Sequence, residues 1–512
     1  MLCFVFAVTL LASLCSIVAG FGLTESGDSY IVDTSAGLIF TVDSTSGDIT
    51  SMKFNGIEAQ DSSKHSQISS GIDADCSWVR GGHDNNCKGC FITCTTSTLI
   101  QYYVAKYNDP AIHMATYTTA EPSVGELRFI ARLSQKTIPN GYEVSDIVGG
   151  TAIEGSDVFL VGSETRSKFY SSRQFIDDQI HGVSGSSIAA WMIIPGTGYE
   201  SSSGGPFFRD INNQGASQQE FYFCKFHPLS IRLNSGHTQT ECSALWFTTG
   251  STPSSDIDTS FWNSLDVTGW VSEDDRGRVK GSATGYPSAY SNYMTVGFSN
   301  SAAQYWVRTD SSGDFVSPYM KPGTYTMTLY KMELAVATQS VTVTAGSVKT
   351  SNIASTEATP TVIWQIGEID GTPRGFLNAD PITFTIGNNV NTFPMAIFKD
   401  VGAVTVKFTL SSSQGGARTL DIATTLAFAG GRPVVTVNNW TSSTPSVPNQ
   451  PDSRGVTRGT WRGNNIMYTY SIPSGNLNTG STVNTLTITV ASGSSGSDFL
   501  SPNIVFDGLR LY

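Results

Sequence analysis

The sequence predicts an all-β, multidomain protein, and three observations carry that reading. Charged residues make up only 14% of the chain, Gly, Ser and Thr are abundant, and no Glu/Lys/Ala/Leu tract of helical period appears. Short runs rich in β-branched and aromatic residues recur along its whole length, bounded by Gly, Pro, Asn and Asp. Residues 21–512 are too many for one ordinary core and match two to four domains.

Residues 1–20 contain no Asp, Glu, Lys or Arg, run apolar from Phe4 to Leu14 and end in Val18-Ala19-Gly20, which reads as a secretory signal peptide. Residues 21–270 then carry enough strand material for a large twisted β-sandwich, beginning with Tyr30-Ile31-Val32-Asp33 and Leu38-Ile39-Phe40-Thr41-Val42. Within it, Leu127 to Arg132 alternates so that Arg128, Ile130 and Arg132 share one strand face, with Leu127, Phe129 and Ala131 on the other. A polar, charged stretch at 271–278 marks a boundary. Residues 271–352 follow as a fibronectin type III-like sandwich, with runs at Tyr290 to Phe298, Gln304 to Val307, Thr324 to Leu334 and Gln339 to Thr344. A second boundary falls near 351–360. Residues 353–512 read as a jelly-roll domain of the kind found in many carbohydrate-binding modules. Its single aromatics Trp364, Trp440 and Trp461 fit core or interdomain packing better than sugar stacking. The polar run 367–375 either organises a turn or faces the first domain's cleft.

The formal net charge of −12 excludes nucleic acid as a general partner, while leaving room for a local Arg/Lys cleft that takes an anionic polysaccharide. No apolar run after the leader is long enough to span a membrane. Cys76, Cys87, Cys90, Cys94, Cys224 and Cys242 remain once the leader's Cys3 and Cys15 are removed, an even number that points to disulfides of unassigned connectivity. The His83, Cys87, Cys90 and Cys94 spacing offers metal ligands superficially, but an oxidising compartment favours cystines. Asn439-Trp440-Thr441 is a glycosylation acceptor.

Two segments carry chemistry. Thr165-Arg166-Ser167-Lys168-Phe169-Tyr170 sets a lysine beside aromatics and a second cation. Asn234-Ser235-Gly236-His237 sets a histidine in a small, polar segment that can approach a ligand closely, about 70 residues away. A lysine base and a histidine acid suit elimination from an anionic sugar.

Together with stretches at 21–24, 128–132, 321–325, 366–371, 376–378 and 506–512, these segments resemble the rhamnogalacturonan endolyases of the fourth polysaccharide lyase family, in order and over nearly the whole chain. The resemblance implies that the first sandwich is catalytic, with Lys168 and His237 as catalytic residues and Arg128 and Arg132 as the paired substrate-contacting arginines. The implied substrate is the rhamnogalacturonan I backbone of pectin, cleaved by β-elimination to leave a 4,5-unsaturated uronate. No cofactor and no metal are expected, since arginines supply the charge neutralisation that calcium supplies elsewhere. The protein is expected to be an extracellular monomer. Before the histidine, Ser230 and Arg232 stand where the family tends to have tyrosines, which points to an altered subsite or to lost activity; the match resumes at Asn234 and favours retained activity. The alternatives are a catalytically impaired pectin-binding secreted protein, and a two-carboxylate glycoside hydrolase using Asp177, Asp178 or Glu241.

Overall fold

The computed structural model describes residues 20–68, 71–81, 89–119, 127–142, 144–154, 158–162, 164–202, 204–215, 217–224, 239–378, 380–449 and 460–512. Strands dominate the described residues, and the helical elements among them are short 3-10 turns. The expected leader and His237 lie outside them. No helix among the described residues is long and apolar enough to cross a membrane.

The first part of the chain is built on a seven-stranded antiparallel sheet running from Ile180–Ser184 through Gln239–Thr248, Ala111–Thr118 and Leu99–Lys106 to Asp75–Gly81. A five-stranded meander, Gly22–Ser26 to Ile57–Glu58, and a four-stranded sheet packed alongside it supply the opposing layer. Their inward residues meet in one core: Phe40 and Met52 from the meander, Phe129 and Phe223 from the small sheet, Tyr103, Met114 and Phe247 from the large one. The alternation that makes Leu38–Asp43 bury every second side chain is the period of a half-exposed strand.

Cys76 and Cys94 lie directly opposite each other on neighbouring strands and form a disulfide. Closing that 18-residue separation contributes about 3 kcal/mol by restricting the unfolded chain. The expectation of a bridge at Cys90 is corrected: among the described residues its thiol is free and buried, opposite Arg80 and Ala105, and burial pushes its pKa up to about 11. Cys94 is spent in the disulfide, so the His83, Cys87, Cys90 and Cys94 quartet does not stand together as a thiolate set. Cys87 and the side chain of Cys224 lie outside the described residues, and Cys242 is buried.

Two facing sheets follow, one centred on Arg278–Thr284, the other ordered Gln304–Arg308, Met294–Ser299, Gly323–Lys331, Leu334–Val343, around a core that includes Val296, Phe298, Met327 and Leu329. Two expected runs are shorter than the sequence suggested. Tyr290 sits in a 3-10 turn ahead of its strand, and the run Thr324 to Leu334 is broken by a tight hairpin at Met332, whose φ is 52°. The last part is a sandwich of two five-stranded sheets, with Asn503–Leu511 paired centrally in one and Asn484–Ala491 in the other. Trp364 is buried in its core and Trp440 packs against it, as the packing reading expects.

The three parts are locked together by buried polar contacts. Gln304 of the middle sandwich donates its amide to Tyr199 O at 3.1 Å and accepts from Gly205 N at 3.0 Å. At the other junction Glu333 N and Leu334 N donate to Asp370 O at 3.0 and 2.9 Å. The approach is close enough that a Cβ on Gly371, whose φ is +85°, would sit 2.5 Å from Leu334 N. The run 367–375 therefore organises a turn, held by the carboxylate of Asp507 accepting from Asp370 N at 2.9 Å and Gly371 N at 2.9 and 3.0 Å, and its residues 372–375 also face a cleft shared with the first sandwich.

Burial pushes the Asp507 carboxyl up to about 7, from 3.8 in an exposed chain. A folded pKa above the unfolded one means that the native state binds the extra proton between about pH 4 and 7, so this group's contribution to stability declines as pH rises through that window, by up to about 1.4 kcal/mol per pH unit. Urea midpoints taken from pH 5 to 7 should fall more steeply with rising pH in the wild type than in Asp507→Asn; parallel slopes would rule out this protonation.

Candidate active site

The four-stranded sheet, ordered Asn213–Gly215, Gln219–Cys224, Arg128–Leu133, Gln67–Ile68, turns one face into the core and the other outward. As the period-two pattern predicts, Phe129, Ala131 and Leu133 are core residues, while Arg128, Ile130 and Arg132 share the outer face. Cross-strand pairing sets Ile130 opposite Tyr222 and Arg132 opposite Glu220 on that same face.

The two arginines are held differently. Arg128 forms a two-pronged pair with the buried Asp210, Nε to Oδ2 at 2.9 Å and Nη2 to Oδ1 at 2.8 Å, and its guanidinium lies 5.7 Å from the Tyr222 ring centre. Arg132 is only 7% exposed; it donates to His65 O at 3.0 Å and Gln67 Oε1 at 3.2 Å, and its Nε is 3.8 Å from Glu220. Arg128 thus presents the more accessible head, and Arg132 underpins the face from below.

Glu220 and Tyr222 complete the surface. Tyr222 donates to Glu220 Oε2 at 2.7 Å, and Gln214 donates to the Tyr222 hydroxyl at 2.6 Å and also to Glu220. Burial, reinforced by the Glu220 charge, pushes the Tyr222 phenol well up, so it stays a neutral donor. Burial works against the Glu220 carboxylate, yet the donors Tyr222, Gln214 and Gln218, with Arg132 nearby, hold it below the usual range. Neither residue was singled out in the sequence, although Glu220 and Tyr222 alternate with the core residues Phe221 and Phe223 in a pattern that could have found them.

Lys168 opens the 3-10 turn Lys168–Ser171 directly after the strand Glu164–Ser167. Its Nζ is 5.7 Å from the centre of the Phe159 ring, on the neighbouring strand. The turn is fastened to the outer edge of the four-stranded sheet: Ser171 Oγ donates to Asn213 O at 2.8 Å and accepts from Asn213 N at 3.2 Å. Three residues before Asn213 is Asp210, the partner of Arg128. Sequence segments some 40 residues apart are in this way brought to one rim. The strand that pairs with Arg128 ends at Cys224, opposite Arg128 itself, and the next described strand begins at Gln239 opposite Thr118. His237 falls in the sequence between these two ends and lies outside the described residues, as does the side chain of Glu241.

Two of the carboxylates of the hydrolase alternative, Asp177 and Asp178, are committed to other partners. Asp177 pairs on the surface with Arg308 at 2.6 Å. Asp178 is buried and meets His181 Nδ1 at 2.9 Å, the Tyr199 hydroxyl at 2.7 Å and Asn212 Nδ2 at 2.9 Å. Burial alone would raise the Asp178 carboxyl, but the His181 imidazole and these donors hold it below the usual range. His181 Nε2 lies 2.9 Å from Tyr222 O, so the cluster braces the strand behind the arginine face. No group of three or more His, Cys, Asp or Glu side chains arranged for a metal occurs among the described residues.

Comparison with known families matches the described sandwiches one after another. Residues 21–269 match the N-terminal domain of rhamnogalacturonan lyase B, 275–351 match domain II of polysaccharide lyase family 4, and 362–511 match domain III of the same family. The chain is 50% identical over 527 residues to rhamnogalacturonate lyase A of Aspergillus aculeatus, and 48% identical over 526 residues to rhamnogalacturonate lyase A of Emericella nidulans. Each match covers 96% of both chains. Three matched domains in unbroken order, with relatives about half identical over nearly the whole chain, place this chain in polysaccharide lyase family 4.

Proposed function

We propose that the chain is a secreted, monomeric rhamnogalacturonan endolyase that breaks the C4–O4 bond of galacturonate where O4 links it to rhamnose in the pectin backbone. The observation that carries the reading is the fastening of the Lys168 turn to the edge of the sheet that bears Arg128. Such an arrangement suits a uronate, whose carboxylate acidifies the neighbouring C5–H and needs a cation as negative charge spreads onto it.

In this mechanism Arg128 takes the substrate carboxylate in a two-pronged contact and stabilises the enolate-like transition state, with Arg132 beneath it adding to the positive field. Lys168, in its neutral form, removes the C5 proton. The C5–H electron pair becomes the C4–C5 double bond as the C4–O4 bond breaks, and His237 protonates O4, which leaves with the rhamnose. The Asp210 carboxylate presents Arg128 as a planar fork before substrate arrives, which lowers the ordering cost of binding. The altered residues Ser230 and Arg232 leave both Lys168 and His237 in the sequence, so the reading retains catalysis and assigns the change to a subsite. Asn439 is exposed at the tip of a two-residue hairpin turn, a position open to glycan attachment during secretion.

Incubation of purified protein with rhamnogalacturonan, followed by ultraviolet detection and mass analysis, tests the reading. Products bearing an unsaturated uronate, lighter by one water than their hydrolytic counterparts, are expected. Water-added products would make it a hydrolase, and binding without cleavage would make it a pectin-binding protein.

A further inference from the structure

Where the three sandwiches meet there is a cavity of about 940 Å³, at the upper end of the ~300–1,000 Å³ typical of ligand sites. Each part of the chain supplies a wall, which is a common setting for such sites. We propose that this three-domain cleft is an auxiliary carbohydrate site that binds a uronate-bearing oligosaccharide without cleaving it. The proposal deepens the lyase reading and shares its substrate class, but rests on different residues.

Charge is the first argument. In a chain of net charge −12, the described lining carries four guanidiniums, from Arg173, Arg209, Arg308 and Arg374, against the two carboxylates of Asp177 and Glu333. Asp177 is matched by Arg308 at 2.6 Å, Glu333 by Arg462 at 3.4 Å with a further donor in Gln174, and the buried Asp370 behind the wall by Arg374 at 3.2 Å, so that with Arg462 and Asp370 included five guanidiniums stand against three carboxylates. A local surplus of arginine in an acidic protein is what attracts a sugar acid.

Shape is the second. Phe207, Tyr293, Phe376 and Trp461 give the cleft aromatic surface from all three parts. Free aromatic faces let a pyranose stack, and arginines beside them can grip its carboxylate from the side. The Arg209 guanidinium lies 5.8 Å from the Trp461 ring centre, and that of Arg374 lies 5.8 Å from Tyr293.

Position is the third. The wall shared with the reaction site is a two-stranded ribbon, Arg173–Gln174 paired with Arg209–Asp210. Asp210 holds Arg128 on one side, and the preceding residue, Arg209, lines the cleft on the other. A chain held in the cleft therefore rests against the same ribbon that carries Asp210.

The test uses full-length protein carrying Lys168→Ala, so that oligosaccharide stays intact, and rhamnogalacturonan oligosaccharides of defined length as the probe. Titration calorimetry should give two sites per chain, and Arg209→Gln with Arg374→Gln on that background should leave one. Hydrogen exchange on the Lys168→Ala protein, which needs no change to the cleft, should show protection of segments containing residues 372–377 and 461 when oligosaccharide is bound. A single site unchanged by the cleft substitutions, or bound sugar with no protection there, overturns the proposal. With Lys168 intact, Arg374→Gln alone, on the wall away from the ribbon, should raise KM on polymer about threefold and leave the rate on short oligosaccharides unchanged. If no unsaturated product forms at all while the cleft still binds, the lyase reading fails and the auxiliary site stands.

Discussion

Lys168→Ala is expected to lower the rate of unsaturated product formation about 100-fold or more while the protein remains folded, and His237→Ala is expected to do the same. The fold should survive the lysine change because the side chain is only half-buried and its turn is held by Ser171, whose bonds to Asn213 are untouched. Lys168→Arg separates a base from a fixed charge. It keeps a cation over Phe159 but cannot give up its proton at working pH, so it should be as inactive as alanine. Restored activity in the arginine variant would make Lys168 an electrostatic anchor, and near-native rates in both alanine variants would remove the two residues from the reaction. Ultraviolet absorbance of the product, with thermal midpoints as the control for folding, reads all three cases.

The largest expected loss of stability lies far from that chemistry, at Glu200. This carboxylate and Arg276 are each 4% exposed and pair at 2.9 Å across the junction of the first and middle sandwiches. Lys321 Nζ lies 3.3 Å from the same carboxylate, and the Tyr305 hydroxyl donates to it. Glu200→Ala leaves two cations around a buried void and should cost about 3–5 kcal/mol. Pairing it with Arg276→Met, which removes one stranded charge, should recover part of that loss, and the recovery measures the coupling. Urea unfolding of the four proteins of the cycle checks it; strictly additive losses would mean that the two residues act independently.

How far the sequence reached depended on the range of the interaction. Period-two alternation put Arg128, Ile130 and Arg132 on one face because that pattern is local and the strand obeys it. The partner of Arg128 escaped, since Asp210 is 82 residues away and nothing in its neighbourhood marks it. The same holds for Cys76 with Cys94: their spacing fits several connectivities, and only the strand register sets them face to face while leaving Cys90 opposite Arg80 and Ala105. Lys168 drew attention through its aromatic and cationic neighbours, and family resemblance supplied its catalytic role, because one lysine after a short strand has no periodic signature. The tight hairpin at Met332 was missed because no glycine stands at the positive-φ position to announce it.

The ribbon of Arg173–Gln174 and Arg209–Asp210 has a consequence for any attempt to shorten the enzyme. A fragment ending near residue 270 would lose Gln304 from the carbonyl of Tyr199 and Arg276 from Glu200, and would leave Gln174 without Glu333. The ribbon that presents Asp210 to Arg128 would then stand with one side in water, so the minimal working unit extends to the end of the last sandwich, where Asp507 clamps the turn that meets Glu333.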